Sequence, residues 1–147
     1  MRVRGYTLVE LVVVLAILGV LFGIGVGALM HYLQLQRLRA AAEAAKSVAV
    51  AARNRAGVES VGYRFAACDD HTLAFAPEGS DACSAGTRRT LPYRARVELK
   101  NADCSASAAP LRYSGRGLPL AQRCLEVTYA SRTRRVVVLL SGKVEVP

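Results

Sequence analysis

Residues 5–21 read GYTLVELVVVLAILGVL, and this stretch decides the architecture of the chain. One carboxylate, Glu10, lies near its start, and no Asp, Glu, Lys or Arg occurs in the 20 residues from Leu11 to Met30. About 20 apolar residues suffice for a helix to cross a bilayer. A carboxylate within such a span costs about 3 kcal/mol when central and less near an end, so Glu10 calls for a partner.

The remaining sequence has the composition of one soluble domain. The chain has 147 residues and a net charge of +9, and most of its arginines follow position 36. Arg2 and Arg4 precede the apolar run and predict a cytoplasmic N-terminus, with a single pass through the inner membrane and a head on the far side. A cleaved secretory signal is disfavoured, because the run is too long and Ala40–Ala42 come ten residues after it.

Proteolysis would supply the partner of Glu10. Cleavage after Gly5 would leave a free ammonium group on Tyr6, one helical turn from Glu10 or facing it from a neighbouring subunit. Opposite charges brought together in a low dielectric largely cancel each other's burial cost. The positive end of the helix dipole also favours a carboxylate there. We therefore expect Glu10 to act in assembly.

These residues resemble a known family. The basic leader ending at Gly5, the segment Tyr6–Glu10 and the apolar helix are similar to the type III signal sequence of type IV pilins and type II secretion pseudopilins. The resemblance implies that a prepilin peptidase cleaves between Gly5 and Tyr6 and methylates the new amine. Phenylalanine is commoner than tyrosine after that cut.

The helical pattern continues beyond the apolar run, and Gly57 is the expected terminator. A helix from Tyr6 to about Arg55 would be roughly 75 Å long at 1.5 Å per residue. One stripe at helical spacing would pack on the head: Leu38, Ala42, Ala45, Ala49 and Ala52. The expected division is a leader (1–5), a membrane half (6–30), an amphipathic half (31–56) and a globular β-rich head (57–147).

Glycines in the membrane half have two interpretations. Gly19, Gly23 and Gly27 have small-xxx-small spacing, which allows close helix packing. Glycine is also simply common in membrane helices.

The head has the alternating pattern of strands. Tyr93, Ala95, Val97 and Leu99 fall on one face, and a later hairpin is expected around a turn at residues 131–133, with a break at Gly142. The pattern predicts an α+β fold, in which the long N-terminal helix packs on an antiparallel sheet of five to seven strands.

Four cysteines lie in the head: Cys68, Cys83, Cys104 and Cys124. In an exported domain they favour two disulfides over free buried thiols. Three pairings exist, of which Cys68–Cys83 with Cys104–Cys124 is the simplest. No C-x-x-C spacing occurs and only His31 and His71 could assist, so neither a metal site nor a cofactor is expected.

Two C-terminal motifs resemble those of FimT/GspH-type minor pilins and pseudopilins. Tyr113, Gly115 and Arg116 match a turn motif, and residues 142–144 match a Gly-Arg/Lys-Val motif in the final hairpin. The resemblance implies a pilin-like fold and a place near a filament tip, with other pilins and a secreted cargo as partners.

Function then has two candidate classes. The first is a non-enzymatic minor pilin or pseudopilin of a type IV pilus or type II secretion filament. The alternative is a DNA-binding minor pilin of a transformation pilus, because basic surfaces attract phosphate without sequence preference. Its candidate residues are Arg132, Arg134, Arg135 and Lys143. Glu145 weakens that motif, and an arginine-rich solvated face would look the same. An enzyme is not expected, because no serine has a histidine base nearby.

Overall fold

The computed structural model describes residues 7–147, apart from the side chains of residues 24 and 25. The predicted cleavage site between Gly5 and Tyr6 lies outside the described residues. The elements follow in this order: α1 (Leu8–Glu59), β1 (Tyr63–Asp69), β2 (Thr72–Pro77), α2 (Ala82–Ala85), β3 (Thr87–Thr90), a 3-10 helix (Pro92–Arg94), β4 (Arg96–Lys100), β5 (Leu111–Tyr113), β6 (Arg123–Tyr129), β7 (Arg132–Val138) and β8 (Val144–Glu145).

The chain divides into two compact units, Met1–Leu35 and Gln36–Pro147, and the boundary between them lies within α1. Among the described residues, α1 alone is long and apolar enough to cross a membrane by length and composition, and its apolar window has a mean hydropathy of 2.8 with no residue buried. The helix ends at Glu59, and Ser60 follows with a positive φ of 54°. The prediction that Gly57 ends the helix is wrong, because α1 continues to Glu59.

The second unit is built on the C-terminal half of α1. All five residues of the predicted stripe are buried, with exposed fractions of 3% or less: Leu38, Ala42, Ala45, Ala49 and Ala52. Alanine side chains let the strands approach the helix axis closely. The stripe joins the inward side chains of both sheets in one core that includes Phe65, Leu73 and Leu125.

The strands form two antiparallel four-stranded sheets rather than one sheet of five to seven strands. Sheet A has the order β3-β2-β1-β5, and sheet B has the order β4-β6-β7-β8. The expectation missed β1 and β3. The alternation in β1 extends only over Tyr63–Phe65 and then gives way to small residues. β3 (Thr87–Thr90) is fully exposed, so it shows no buried face in sequence. The short α2 covers the outer face of sheet A through a small second core of Ala66, Ala74, Ala76 and Ala82.

Two local predictions in sheet B need correction. Ala95, Val97 and Leu99 are buried as expected, but Tyr93 is 53% exposed because its φ of 60° turns it out of the strand pattern. The β6–β7 hairpin turns at residues 130–131, and Arg132 is already in β7, paired with Tyr129. The sequence pattern predicts this turn at residues 131–133, one residue too late.

Both disulfides have the simplest pairing. Cys68 on β1 bonds to Cys83 on α2, with 5.3 Å between the Cα atoms, and this bond ties α2 to sheet A. Cys104 bonds to Cys124 on β6, with 5.4 Å between the Cα atoms. The second bond holds the loop between β4 and β5 over the outer face of sheet B and leaves Cys124 fully buried.

Candidate functional site

Glu10 takes part in a capping box at the start of α1. Its carboxylate accepts from the backbone N–H of Thr7 at 3.4 Å, and the Thr7 hydroxyl accepts from the backbone N–H of Glu10 at 3.3 Å. This reciprocal pair satisfies two N–H groups that a helix start leaves without partners. The Thr-x-x-Glu spacing of residues 7–10 is the sequence signal of this cap. Glu10 therefore has a local structural role in addition to any role in assembly.

The membrane half of α1 presents an unburied apolar surface. Large side chains along residues 8–30 are mostly more than half exposed, among them Leu15, Val20 and Phe22. Cβ atoms built on Gly19, Gly23 and Gly27 would meet nothing within 4 Å. The described part of the chain therefore leaves this surface open, whether to lipid or to other helices.

The two C-terminal motifs meet at Arg53 of α1. The Arg53 guanidinium donates to the backbone oxygen of Gly142 at 2.9 Å. Gly117, directly after the first motif, has a φ of 73°, and a Cβ there would lie 2.9 Å from the backbone oxygen of Arg53. Both turns thus need glycine, for a left-handed backbone and for close approach to the helix. Arg53 and Gly142 are 89 residues apart, so no local sequence pattern could indicate this contact.

Tyr113, the first residue of the motif, belongs to the same region of the core. It is 1% exposed, and its hydroxyl has no hydrogen-bond partner among the described residues. Burial raises the pKa of Tyr113 strongly, and the positive charge of Arg53 opposes that shift. These motifs pack the turns of the head against α1.

The four candidate DNA-binding residues do not share one surface. Arg132 and Arg134 lie on the same side of β7 as the buried Val136 and Val138, whereas Arg135 lies on the opposite face, across from Glu126. Lys143 follows the far end of β7 from Arg132. Its ammonium group pairs with Glu145 at 2.6 Å, and that carboxylate raises the pKa of Lys143.

The outer face of sheet B carries balanced charge. Lys100 pairs with Glu126 and, at 3.6 Å, with Glu98. Arg96 pairs with Asp70 at 2.7 Å. These carboxylates offset the cations of this face, so it is a poor surface for a polyanion.

A cluster that the sequence did not predict lies where α1 enters the head. The Arg37 guanidinium donates to the Tyr129 hydroxyl at 3.0 Å and lies over the ring of Tyr93, 5.6 Å from its centroid. The two rings meet edge to face at 6.3 Å. Arg37 and Tyr129 are 92 residues apart, so no local pattern could bring them together.

Comparisons with known proteins agree with this architecture. Residues 1–26 match the family model described as the prokaryotic N-terminal methylation motif. A search of curated protein sequences finds no match to the chain. Two crystal structures of the type IV minor pilin FimU from Pseudomonas aeruginosa have a similar fold. The first is 15% identical, with a TM-score of 0.62, and covers 79% of this chain and 92% of FimU. The second, in another space group, is 13% identical, with a TM-score of 0.59, and covers 74% and 91%. The chain therefore combines a prokaryotic N-terminal methylation motif in residues 1–26 with a fold similar to that of the minor pilin FimU.

Proposed function

We propose that the chain is a non-enzymatic minor pilin or pseudopilin subunit of a type IV pilus or type II secretion filament. The observation that carries the proposal is the division of α1. Its second half forms the core of the head, whereas its first half is apolar and leaves its large side chains exposed. Such a surface needs lipid before assembly and neighbouring helices afterwards. Other pilins are thus the principal partners, and the inner membrane is the place from which assembly starts.

The N-terminal residues have a defined role in this proposal. A prepilin peptidase cuts between Gly5 and Tyr6, and the new amine pairs with Glu10 of the same chain or of a neighbour. The capping box supports this pairing, because the Glu10 carboxylate already lies 3.4 Å from the backbone nitrogen of Thr7, the residue after Tyr6. In a bundle of apolar helices an unpaired charge costs several kcal/mol, so the pairing would set the axial register of subunits.

Two substitutions at Glu10 separate its charge from its capping role. Glu10→Gln removes the charge, but glutamine can still complete a capping box. Glu10→Ala removes both. We expect both variants to be processed and inserted normally and to be absent from sheared filaments on immunoblots. Glu43→Gln is the matched control, since Glu43 is an exposed carboxylate of the same helix that pairs with Lys46 at 3.4 Å. Normal incorporation of Glu10→Gln would refute the charge pairing and leave only the cap.

Processing has its own test. Intact mass spectrometry of natively expressed protein should find Tyr6 as the first residue, N-methylated. A chain that keeps Met1 would refute peptidase processing and the assembly role built on it.

A gene deletion distinguishes the two kinds of filament in this proposal, a type II secretion filament and a type IV pilus. A gene deletion that stops export of a folded protein cargo would identify a secretion filament. Loss of surface pili with normal export would identify a pilus. Either result keeps the subunit role, whereas a deletion that affects neither process would refute it.

A second candidate is a DNA receptor on a transformation pilus. The observation that favours it is charge: loss of the leader with Arg2 and Arg4 lowers the side-chain net charge from +9 only to +7. Arg132 and Arg134 share one side of β7, and we infer that these two residues are the best candidate DNA site once Arg135 and Lys143 are set aside.

A salt-titrated DNA-binding assay tests this candidate. Affinity of the full chain in detergent should fall steeply with salt. Arg134→Gln should weaken binding more than Arg135→Gln, which removes the same charge from the opposite face. No binding at low salt, or equal loss in both variants, would refute a receptor site on this side of β7.

A further inference from the structure

The cluster at the membrane-proximal end of the head consists of Arg37, Tyr93, Arg94 and Tyr129, and we call it the Arg37 cluster. Its parts come from α1, from the 3-10 helix before β4 and from the end of β6. The pairing of β4 with β6 places the 3-10 helix beside the β6–β7 turn. Two turns of sheet B and one helix residue therefore form a single surface.

The backbone of this surface is strained in an unusual way. Tyr93 and Arg94 are consecutive residues other than glycine with positive φ, at 60° and 52°. Residues other than glycine rarely adopt this backbone conformation, and such strain clusters at functional sites. Here it directs the Tyr93 ring outward, under the Arg37 guanidinium and against Tyr129. The result is an arginine that contacts two tyrosines, and the exposed Arg94 follows Tyr93 in the chain.

The charge of the Arg37 cluster is not neutralised within the head. In the described part of the chain neither Arg37 nor Arg94 forms an ion pair with a carboxylate. Asp70, which reaches the same edge of sheet B, is bound to Arg96 at 2.7 Å. Arg37 and Arg94 are exposed, and so is half of Tyr93. The surface is therefore cationic, aromatic and accessible.

Chain connectivity limits what this surface can meet. Arg37 follows Met30, the last residue of the uncharged run, by seven residues. Seven residues span about 10 Å as a helix and about 25 Å when fully extended. Whatever the orientation of the head, the cluster stays within reach of the bilayer surface. Tyrosine is enriched at that level of a membrane, and basic residues there bind anionic lipids.

We propose that the Arg37 cluster binds anionic phospholipid headgroups beside the anchor and so holds the head against the bilayer before assembly. The proposal rests on the membrane anchoring proposed above. The tyrosine rings lie in the headgroup layer, and the two guanidinium groups bind lipid phosphates. When a filament takes up the subunit, the anchor leaves the bilayer and these contacts break. DNA is the competing phosphate ligand, but it would need an extended cationic track, and the neighbouring outer face of sheet B carries Glu98 and Glu126.

Hydrogen–deuterium exchange of the full chain in nanodiscs tests the proposal. One set of discs contains only phosphatidylcholine, and the other contains phosphatidylcholine with phosphatidylglycerol. We expect amide exchange in residues 93–94 and 130–131 to slow at least threefold in the anionic discs, and high salt to abolish the difference. Arg37→Gln/Arg94→Gln should lose this protection.

The matched control is Arg88→Gln/Arg89→Gln, which removes the same charge from the exposed strand β3. It should keep the protection, and equal loss in both double variants would overturn a local site. Unchanged thermal unfolding of each variant shows that the head remains folded.

The remaining outcomes separate this proposal from the others. A chain that enters the discs but shows no phosphatidylglycerol-dependent protection refutes the lipid contact and leaves the anchor intact. A chain that does not enter the discs refutes the anchor and the lipid contact together. Protection of the same residues by duplex DNA, but not by phosphatidylglycerol, also overturns the proposal and assigns the surface to DNA.

Discussion

Gly117 and Gly142 both lie against Arg53, but they meet different parts of it. A Cβ on Gly117 would come within 2.9 Å of the Arg53 backbone oxygen, whereas a Cβ on Gly142 would meet the side-chain Nε at 3.1 Å. The backbone oxygen is fixed by α1, but the side chain can rotate away. Alanine at the two positions should therefore have different costs.

The two values of φ are similar, 73° and 80°, so the strain is comparable. Alanine in a left-handed conformation costs about 1–2 kcal/mol. Gly117→Ala adds an overpacking cost of about 1–3 kcal/mol, because the obstacle cannot move. We expect losses of about 3–4 kcal/mol for Gly117→Ala and about 2 kcal/mol for Gly142→Ala. At about 4 °C per kcal/mol for a unit of this size, Tm falls by about 14 °C and about 8 °C.

Thermal unfolding of the full chain in detergent, followed by circular dichroism, measures both losses. Arg53→Ala provides the test of cause. Arg53→Ala removes the side chain that Gly142→Ala would displace. The stability loss of the Arg53→Ala/Gly142→Ala double variant should therefore be smaller than the sum of the two single losses by about 1 kcal/mol. Arg53→Ala leaves the backbone oxygen in place, so it should not rescue Gly117→Ala. Equal losses at the two glycines, or rescue of Gly117→Ala by Arg53→Ala, would refute the reasoning.

Three further predictions concern the head. Cys104→Ala/Cys124→Ala opens a bond between residues 20 apart in sequence and should cost about 3 kcal/mol, measured by urea unfolding; an unchanged midpoint would contradict it. Tyr113→Phe removes a buried hydroxyl without a protein partner and should leave stability unchanged or raise it by about 1 kcal/mol in the same assay, whereas a large loss would reveal an unrecognised hydrogen bond. The backbone N–H of Cys83 holds the pKa of Asp81 below its ordinary value of 3.8. Because the folded-state pKa is depressed, Asp81 contributes to folding stability above pH 3.8, and this contribution is lost as the pH falls through the folded-state pKa. An NMR titration of the Asp81 carboxyl carbon should show the lowered pKa.

Local sequence patterns determined the long helix and the side of it that is buried. The uncharged run after Glu10 specified an apolar helix, and the alanine period specified the side of α1 that is buried, because both follow from helical spacing alone. The nearest-neighbour pairing of the cysteines was also correct, since it closes the shortest loops. Helix termination was not local: residues 115–117 pack against the last turns of α1, and the helix continues through Gly57 to Glu59.

Only the tertiary structure decided which distant residues meet. Eight strands divide into two sheets because pairing depends on long-range contacts, and the exposed β3 has no alternating pattern to reveal it. Side chains alternate between the two faces of β7, so Arg132 and Arg135 lie on opposite faces although they are three residues apart in sequence. Arg53 joins two turns that follow it by more than sixty residues in the chain, and Arg37 meets Tyr129 across 92 residues. Spacing along the chain fixes the face on which a side chain lies, but only packing fixes its neighbours.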